Sequence, residues 1–103
     1  MTYTYLSSLH SLVTEIPSDS ILSRTFYNGD DLKGILFAFA AGQELSEHTA
    51  ARPAILHFLS GEARLTLGEE AMEAQAGTWV HMPARLPHSV YAKTPVTMVL
   101  LLV

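Results

Sequence analysis

The fold is decided by two stretches of the chain, GQELSEHTAARPAILHFLSG at residues 42–61 and GTWVHMPARLPHSVYA at residues 77–92. Each stretch begins with a glycine and carries a histidine at a fixed distance beyond it. His48 follows the first glycine after five residues, and His88 follows the second after ten. The two stretches therefore form a paired motif, with His48 at the fixed position in the first half and His88 in the second.

The residues around these stretches have the period of β-strands. Apolar and polar residues alternate along residues 63–67 and again along residues 72–76. This alternation gives a strand one buried and one solvent-exposed face. Gly68-Glu69-Glu70, between the two segments, has the composition of a tight hairpin turn. With further turn signals along the chain, the part from Ser23 onward is expected to form about eight strands, so the protein is predicted to be all-β.

Two segments are apolar on both faces. They are GILFAFA at residues 34–40 and VTMVLLLV at residues 96–103. In so small a domain, a strand that is apolar on both faces is expected to have a second layer over it. We therefore expect a homodimer in which these strands pack sheet against sheet, since two-fold pairing is the commonest closed assembly.

The composition is that of one globular domain. Of the 103 residues, 49% are hydrophobic and 16% are charged, which offsets the entropy of folding for a single core. The formal net charge is −4 and the six basic residues are scattered, which argues against a nucleic-acid partner. Because the chain has no cysteine, it has no disulfide, thiolate nucleophile, zinc ribbon or iron–sulfur site.

The first 22 residues admit two interpretations. Apolar residues fall at helical spacing between Tyr5 and Ile16, whereas the serine and threonine content favours an extended arm. We expect residues 1–22 to be an arm that packs on the main domain or on a partner subunit, with residues 23–103 forming the main domain. No apolar run reaches the roughly 18 residues of a membrane span, and no secretory signal is recognisable. The expected location is therefore cytoplasmic, without a membrane partner.

The paired motif resembles that of the cupin superfamily. The family's first motif is Gly, five residues, His-x-His, three or four residues, Glu, six residues and Gly. Its second motif is Gly, five residues, Pro-x-Gly, two residues, His, three residues and Asn, and the spacings agree with those of this chain. The resemblance covers about half of the chain and implies a small single-domain, RmlC-like jelly-roll barrel with an interior pocket for a small molecule. The frame is kept by Gly42, His48, Gly61, Gly77, Pro83 and His88.

The resemblance carries over only half of the family's metal ligands. The three-histidine, one-glutamate set of metal-binding cupins corresponds here to His48, Ala50, Ala54 and His88. Two imidazoles remain, whereas a well-held catalytic metal generally has three protein ligands. We therefore expect any divalent ion (Zn, Ni, Mn or Fe) to be held weakly. His57 would be a third ligand only on a bulged strand, because its odd separation from Ala54 puts it on the opposite face of a regular strand.

The implied pocket leaves three functions open. The first is a module that binds a small molecule without chemistry, which the missing metal ligands favour. The second is a metal-dependent enzyme of the dioxygenase, isomerase or lyase kind that uses His48 and His88, and the third is a dimeric scaffold. No catalytic residue follows from the sequence. The pocket is expected to be lined by His48, His88, Ala50, Ala54, Leu56 and Phe58.

Overall fold

The computed structural model describes residues 2–103, and its regular secondary structure is almost entirely β-strand. The all-β prediction is confirmed, with nine strands rather than about eight. Before the strands, the helical spacing of the N-terminal segment yields only one turn of 3₁₀ helix, and no helix in this described range could cross a membrane. The elements are the 3₁₀ helix His10–Leu12 and the strands β1 (Ile21–Asn28), β2 (Lys33–Phe39), β3 (Glu44–His48), β4 (Ala54–Ser60), β5 (Glu62–Leu67), β6 (Glu70–Gln75), β7 (Trp79–Met82), β8 (His88–Ala92) and β9 (Val96–Leu102).

The strands form two antiparallel sheets. The larger sheet has the order β1-β2-β9-β4-β7, and the smaller has the order β3-β8-β5-β6. Strands far apart in the chain therefore lie side by side, as β2 and β9 do along their whole length. Two such sheets enclosing one core make a jelly roll, and the predicted fold class is confirmed.

The predicted hairpin joins β5 to β6. Leu67 pairs with Glu70, which leaves Gly68 and Glu69 as the two turn residues. Gly68 has a φ of 60°, a left-handed conformation that glycine adopts without steric cost. On its other side Leu67 pairs with His88, so the hairpin turn lies next to the first residue of β8.

One hydrophobic core lies between the two sheets. On β4, Ala54, Leu56 and Phe58 are each 1% exposed, whereas His57 between them is exposed. This is the period-2 alternation of a strand with one buried face. The buried members of the core are Phe39, Ala54, Leu56, Phe58, Ala63, Leu65, Ala74, Met82, Val90, Ala92, Val96 and Met98.

The larger sheet is also buried on part of its outer face. Leu36 and Ala38 on β2 and Val99 on β9 are 0%, 1% and 4% exposed, yet they lie outside the core cluster. The ring of Phe26 covers Gly34 on this face, where an added Cβ would come within 2.6 Å of it. The central strands are therefore buried on both faces within a single chain.

Candidate functional site

Two histidines meet where the two halves of the motif pair. His48 is the last residue of β3 and His88 is the first residue of β8, and the antiparallel register places them directly opposite each other. Their ring centroids are 4.1 Å apart with the ring planes inclined at 58°. His88 is buried, with 4% of its surface exposed, and His48 is half-buried. We call these two residues the histidine pair.

Each ring of the histidine pair is held by a backbone carbonyl two residues earlier in the chain. The Nδ1 of His48 lies 2.8 Å from the Ser46 oxygen, and the Nδ1 of His88 lies 2.9 Å from the Leu86 oxygen. A carbonyl oxygen only accepts hydrogen bonds, so Nδ1 must carry the proton in both rings. In the neutral rings, each Nε2 is consequently an unprotonated acceptor.

Burial favours the neutral form of His88. Desolvation is the main cause that lowers its pKa below the ordinary value of 6.5. The hydrogen bond to the Leu86 carbonyl acts in the opposite direction, and the charge of a protonated His48 lowers the pKa further. At neutral pH the buried ring is therefore an acceptor at Nε2 rather than a cation.

Comparison with known proteins now identifies the family. The cupin domain model matches residues 35–103, which is more than half of the chain and includes both halves of the histidine motif. The chain belongs to the cupin family. No curated protein matches it, so the family membership is established by the domain model.

Solved structures share the fold of this cupin over most of its length. A conserved protein of unknown function from Streptococcus pyogenes is 32% identical with a TM-score of 0.86, covering 100% of this chain and 90% of that one. A cupin superfamily protein from Desulfitobacterium hafniense is 25% identical with a TM-score of 0.86, covering 92% and 86%. The DMSP lyase DddQ from Ruegeria pomeroyi is 21% identical with a TM-score of 0.76, covering 82% and 47%, and this likeness shows the fold alone.

The residues of this cupin do not fit a tightly held metal ion. Within residues 2–103, no group of three or more histidine, cysteine, aspartate or glutamate side chains lies close enough to hold one. His57 does not join the histidine pair, because it is exposed and pairs with Trp79 on regular strand on the outer face. The chemistry of the site is therefore that of two imidazoles.

The other predicted pocket residues divide between the barrel end and the core. Ala50 is half-buried in the loop after β3, where its carbonyl oxygen accepts a hydrogen bond from the backbone N–H of Arg85 at 2.7 Å. Ala54, Leu56 and Phe58 instead lie in the buried core. The histidine pair thus stands at the polar end of an apolar interior.

A surface cavity of about 350 Å³ lies away from the histidine pair. It is at the opposite end of β5, since Glu62 lines it whereas Leu67 pairs with His88. Its polar walls include the ion pair between Lys93 and Glu73, which satisfies both charges without a ligand. We place the candidate site at the histidine pair because two adjacent imidazoles there present unprotonated ring nitrogens beside the apolar interior. The residues that line the cavity are Glu62, Glu73, Ala74, Gln75, Thr78 and Lys93.

One residue near the site was missed by the sequence interpretation. Arg85 lies in the loop between β7 and β8 and has a φ of 67°, in the left-handed region. The signal was available, because Arg85 occupies the glycine position of the family's Pro-x-Gly motif and so departs from it. The presence of a long, positively charged side chain at a position where the family has glycine needs a physical reason.

Proposed function

We propose that this cupin binds a small polar molecule at the histidine pair. The observation that carries the proposal is the pair of Nδ1–carbonyl hydrogen bonds, 2.8 and 2.9 Å long, which leave two neighbouring Nε2 atoms as acceptors. A convergent set of a few polar atoms at the end of an apolar interior is the usual form of a small-molecule site.

The pairing of two acceptors defines what the ligand must supply. A buried acceptor that loses its water partner without replacement costs about 1 to 3 kcal/mol. The two Nε2 atoms lie on rings 4.1 Å apart, and a ligand that displaces their water partners would satisfy both with hydroxyl or amine hydrogens of one molecule or through a shared water. The ligand is therefore a molecule with donor groups, and hydroxyl compounds are the simplest examples.

A metal-dependent enzyme is the second candidate function. The observation that favours it is the same anchoring of Nδ1, because metal-ligating histidines usually donate their other ring N–H to a carbonyl or carboxylate. His48 and His88 would hold a divalent ion through Nε2, and such an ion would supply Lewis-acid chemistry for an isomerase or lyase or, where it is redox-active, oxygen chemistry for a dioxygenase. Ala50 and Ala54 contribute no ligand atom, so we expect the ion to be weakly bound.

The assembly is part of this proposal. We propose that the N-terminal arm covers the outer face of β2 and β9, since Leu36 and Val99 are buried there and the arm residues Leu9 and Leu12 are half-buried. The homodimer expected from the apolar strands β2 and β9 stays a proposal. Because their outer face is already largely buried within the chain, we place it on the adjoining outer face of β4 and β7, where Trp79 is 58% exposed. A scaffold role through this dimer is the third candidate.

Replacing His88 tests the first two candidates together. We expect glycerol or glycerate to shift the NMR signals of the His48 ring in the wild type, and we expect His88→Ala to weaken that binding by at least about tenfold through the loss of one hydrogen bond to a buried ring. His57→Ala is the matched control, because it removes an exposed imidazole on the outer face. Binding at the pair would be contradicted if the wild type showed no change in the His48 ring signals, or if His88→Ala and His57→Ala weakened binding equally.

Titration of Zn²⁺ into the same three proteins separates the binding module from the metal-dependent enzyme. Calorimetric titration is expected to give weak heats in the wild type and in His57→Ala, and none in His88→Ala. Equal, negligible heats in all three proteins would remove the metal-dependent enzyme and leave the binding module. Tight stoichiometric binding that depends on both His88 and His57 would show a third ligand and contradict the outward placement of His57.

A further inference from the structure

Arg85 is held in a backbone conformation that its side chain disfavours. Its φ of 67° is in the left-handed region, which costs a residue with a Cβ roughly 1–2 kcal/mol. Glycine would take this conformation without that cost. Strained residues of this kind cluster at functional sites, and the inference properly runs from the observed outlier to a hypothesis of function.

The strained residue links the two loops that flank the histidine pair. The Arg85 backbone N–H donates to the Ala50 carbonyl at 2.7 Å, two residues beyond His48. The next residue, Leu86, provides the carbonyl that holds the ring of His88 at 2.9 Å. Arg85 is therefore hydrogen-bonded through its backbone to the loop after His48 and directly precedes the residue whose carbonyl holds the ring of His88.

The guanidinium of Arg85 carries an unneutralised positive charge. Its side chain is exposed, and across residues 2–103 the one ion pair within 4.0 Å is that of Lys93 with Glu73. The hairpin turn that carries Glu69 is tied to the Arg85 loop by the hydrogen bond from the Gly68 N–H to the Pro87 carbonyl at 2.8 Å. Even so, neither Glu69 nor any other described carboxylate neutralises Arg85.

A second arginine belongs to the same end of the barrel. Arg52 lies in the loop that follows His48, is half-buried, and donates to the Leu102 carbonyl at 3.3 Å. A hydrogen bond to a neutral carbonyl leaves its charge in place. Two uncompensated guanidinium groups therefore stand in the two loops that flank the histidine pair, and guanidinium geometry matches carboxylate and phosphate oxygens.

We propose that Arg85 binds the oxyanion group of the ligand, and that the ligand class is a small hydroxylated anion. The inference rests on the proposed function: hydroxyl hydrogens satisfy the Nε2 atoms of the histidine pair, while a carboxylate or phosphate group reaches the Arg85 guanidinium. A side chain that serves this contact accounts for the presence of a long cation at a strained position where glycine would be relaxed.

The test uses three probes, glycerol, glycerate and glycerol 3-phosphate, which share two adjacent hydroxyl groups and carry a third hydroxyl, a carboxylate or a phosphate at the remaining position. Binding is followed by NMR at the ring signals of His48 and His88. In the wild type we expect at least one of the two anions to bind at least about tenfold more tightly than glycerol, the gain of a charge-assisted hydrogen bond. Glycerate and glycerol 3-phosphate distinguish a carboxylate site from a phosphate site.

Arg85→Gly removes the guanidinium and relieves the backbone strain at once. We expect the preference for the anions over glycerol to vanish in this variant while the Tm rises by several degrees. Arg24→Gln is the matched control, because Arg24 is an exposed arginine on β1, and it should keep the preference. A general effect of net charge would change both variants alike.

The outcomes separate this inference from the function on which it rests. Glycerol that shifts the histidine signals as strongly as the anions do would overturn the role of Arg85 and leave binding at the pair intact. An anion preference that survives in Arg85→Gly would overturn it as well. No shift with any of the three probes would contradict both the inference and the proposed function.

Discussion

Replacing Gly61 by alanine should lower the free energy of unfolding by more than about 3 kcal/mol, a large share of the roughly 5–15 kcal/mol of a typical domain. Gly61 has a φ of 88°. An added Cβ would overlap with the Pro95 carbonyl oxygen and lie 2.9 Å from the Cα of Val96. Both contacts are with backbone of the segment that leads into β9, so relief requires the sheet to shift.

Gly42→Ala is the matched control for this prediction. Gly42 has a similar φ of 84°, but nothing lies within 4 Å of an added Cβ. Its replacement should cost only the left-handed strain of roughly 1–2 kcal/mol. Urea unfolding of the two variants measures the difference, and equal costs would show that the close approach at Gly61 does not contribute.

Truncating Phe58 to alanine should destabilise the protein by about 3–5 kcal/mol, the usual cost of removing a buried aromatic ring. Phe58 is 1% exposed on the core face of β4, and its ring packs among residues of both sheets. Leu59→Ala is the control, because Leu59 is only half-buried and should cost less than about 2 kcal/mol.

The loss of stability in the Phe58→Ala variant also decides whether the barrel interior is a packed core or an open cavity. Urea unfolding that gives a loss below about 1 kcal/mol would mean that the ring lines an open cavity rather than a packed core. In that case the small-molecule site would extend from the histidine pair into the barrel, as the resemblance implied for Leu56 and Phe58. A loss in the expected range confines the site to the polar end.

The strands follow from local patterns in the sequence, whereas the meeting of the two histidines was implied by the resemblance of the paired motif to that of the cupin superfamily. The parity of a regular strand put His57 on the opposite face from Ala54, and the structure has Ala54 buried and His57 exposed. The hairpin at Gly68 follows from turn chemistry that involves only a few neighbouring residues. The faces of the strands and the hairpin turn can therefore be predicted without knowledge of distant parts of the chain.

Other features depend on contacts that a linear pattern does not contain. The helical spacing near the N-terminus gave one 3₁₀ turn, because so short a segment does not form a stable helix by propensity alone. The φ of Arg85 and the carbonyls of Ser46 and Leu86 depend on the path of loops fixed by β3 and β8. The charge of the site and the orientation of its rings therefore became visible only in three dimensions.

The burial of His88 also connects the stability of the fold to pH. Its pKa is lower in the folded chain than the ordinary 6.5, so the unfolded chain binds more protons in the interval between the two values. The contribution of neutral His88 to stability is therefore fully present above pH 6.5 and is lost as the pH falls through the folded pKa.

The central claim, that the histidine pair presents two unprotonated Nε2 atoms to a ligand, is tested most directly by ¹⁵N NMR of the ring nitrogens between about pH 5 and 8. We predict that at neutral pH both rings carry the proton on Nδ1, that His88 titrates below 6.5, and that glycerate shifts Nε2 more than Nδ1. A proton on Nε2 of either neutral ring, or a His88 that titrates at or above 6.5 with Nε2 unmoved by glycerate, would contradict the account.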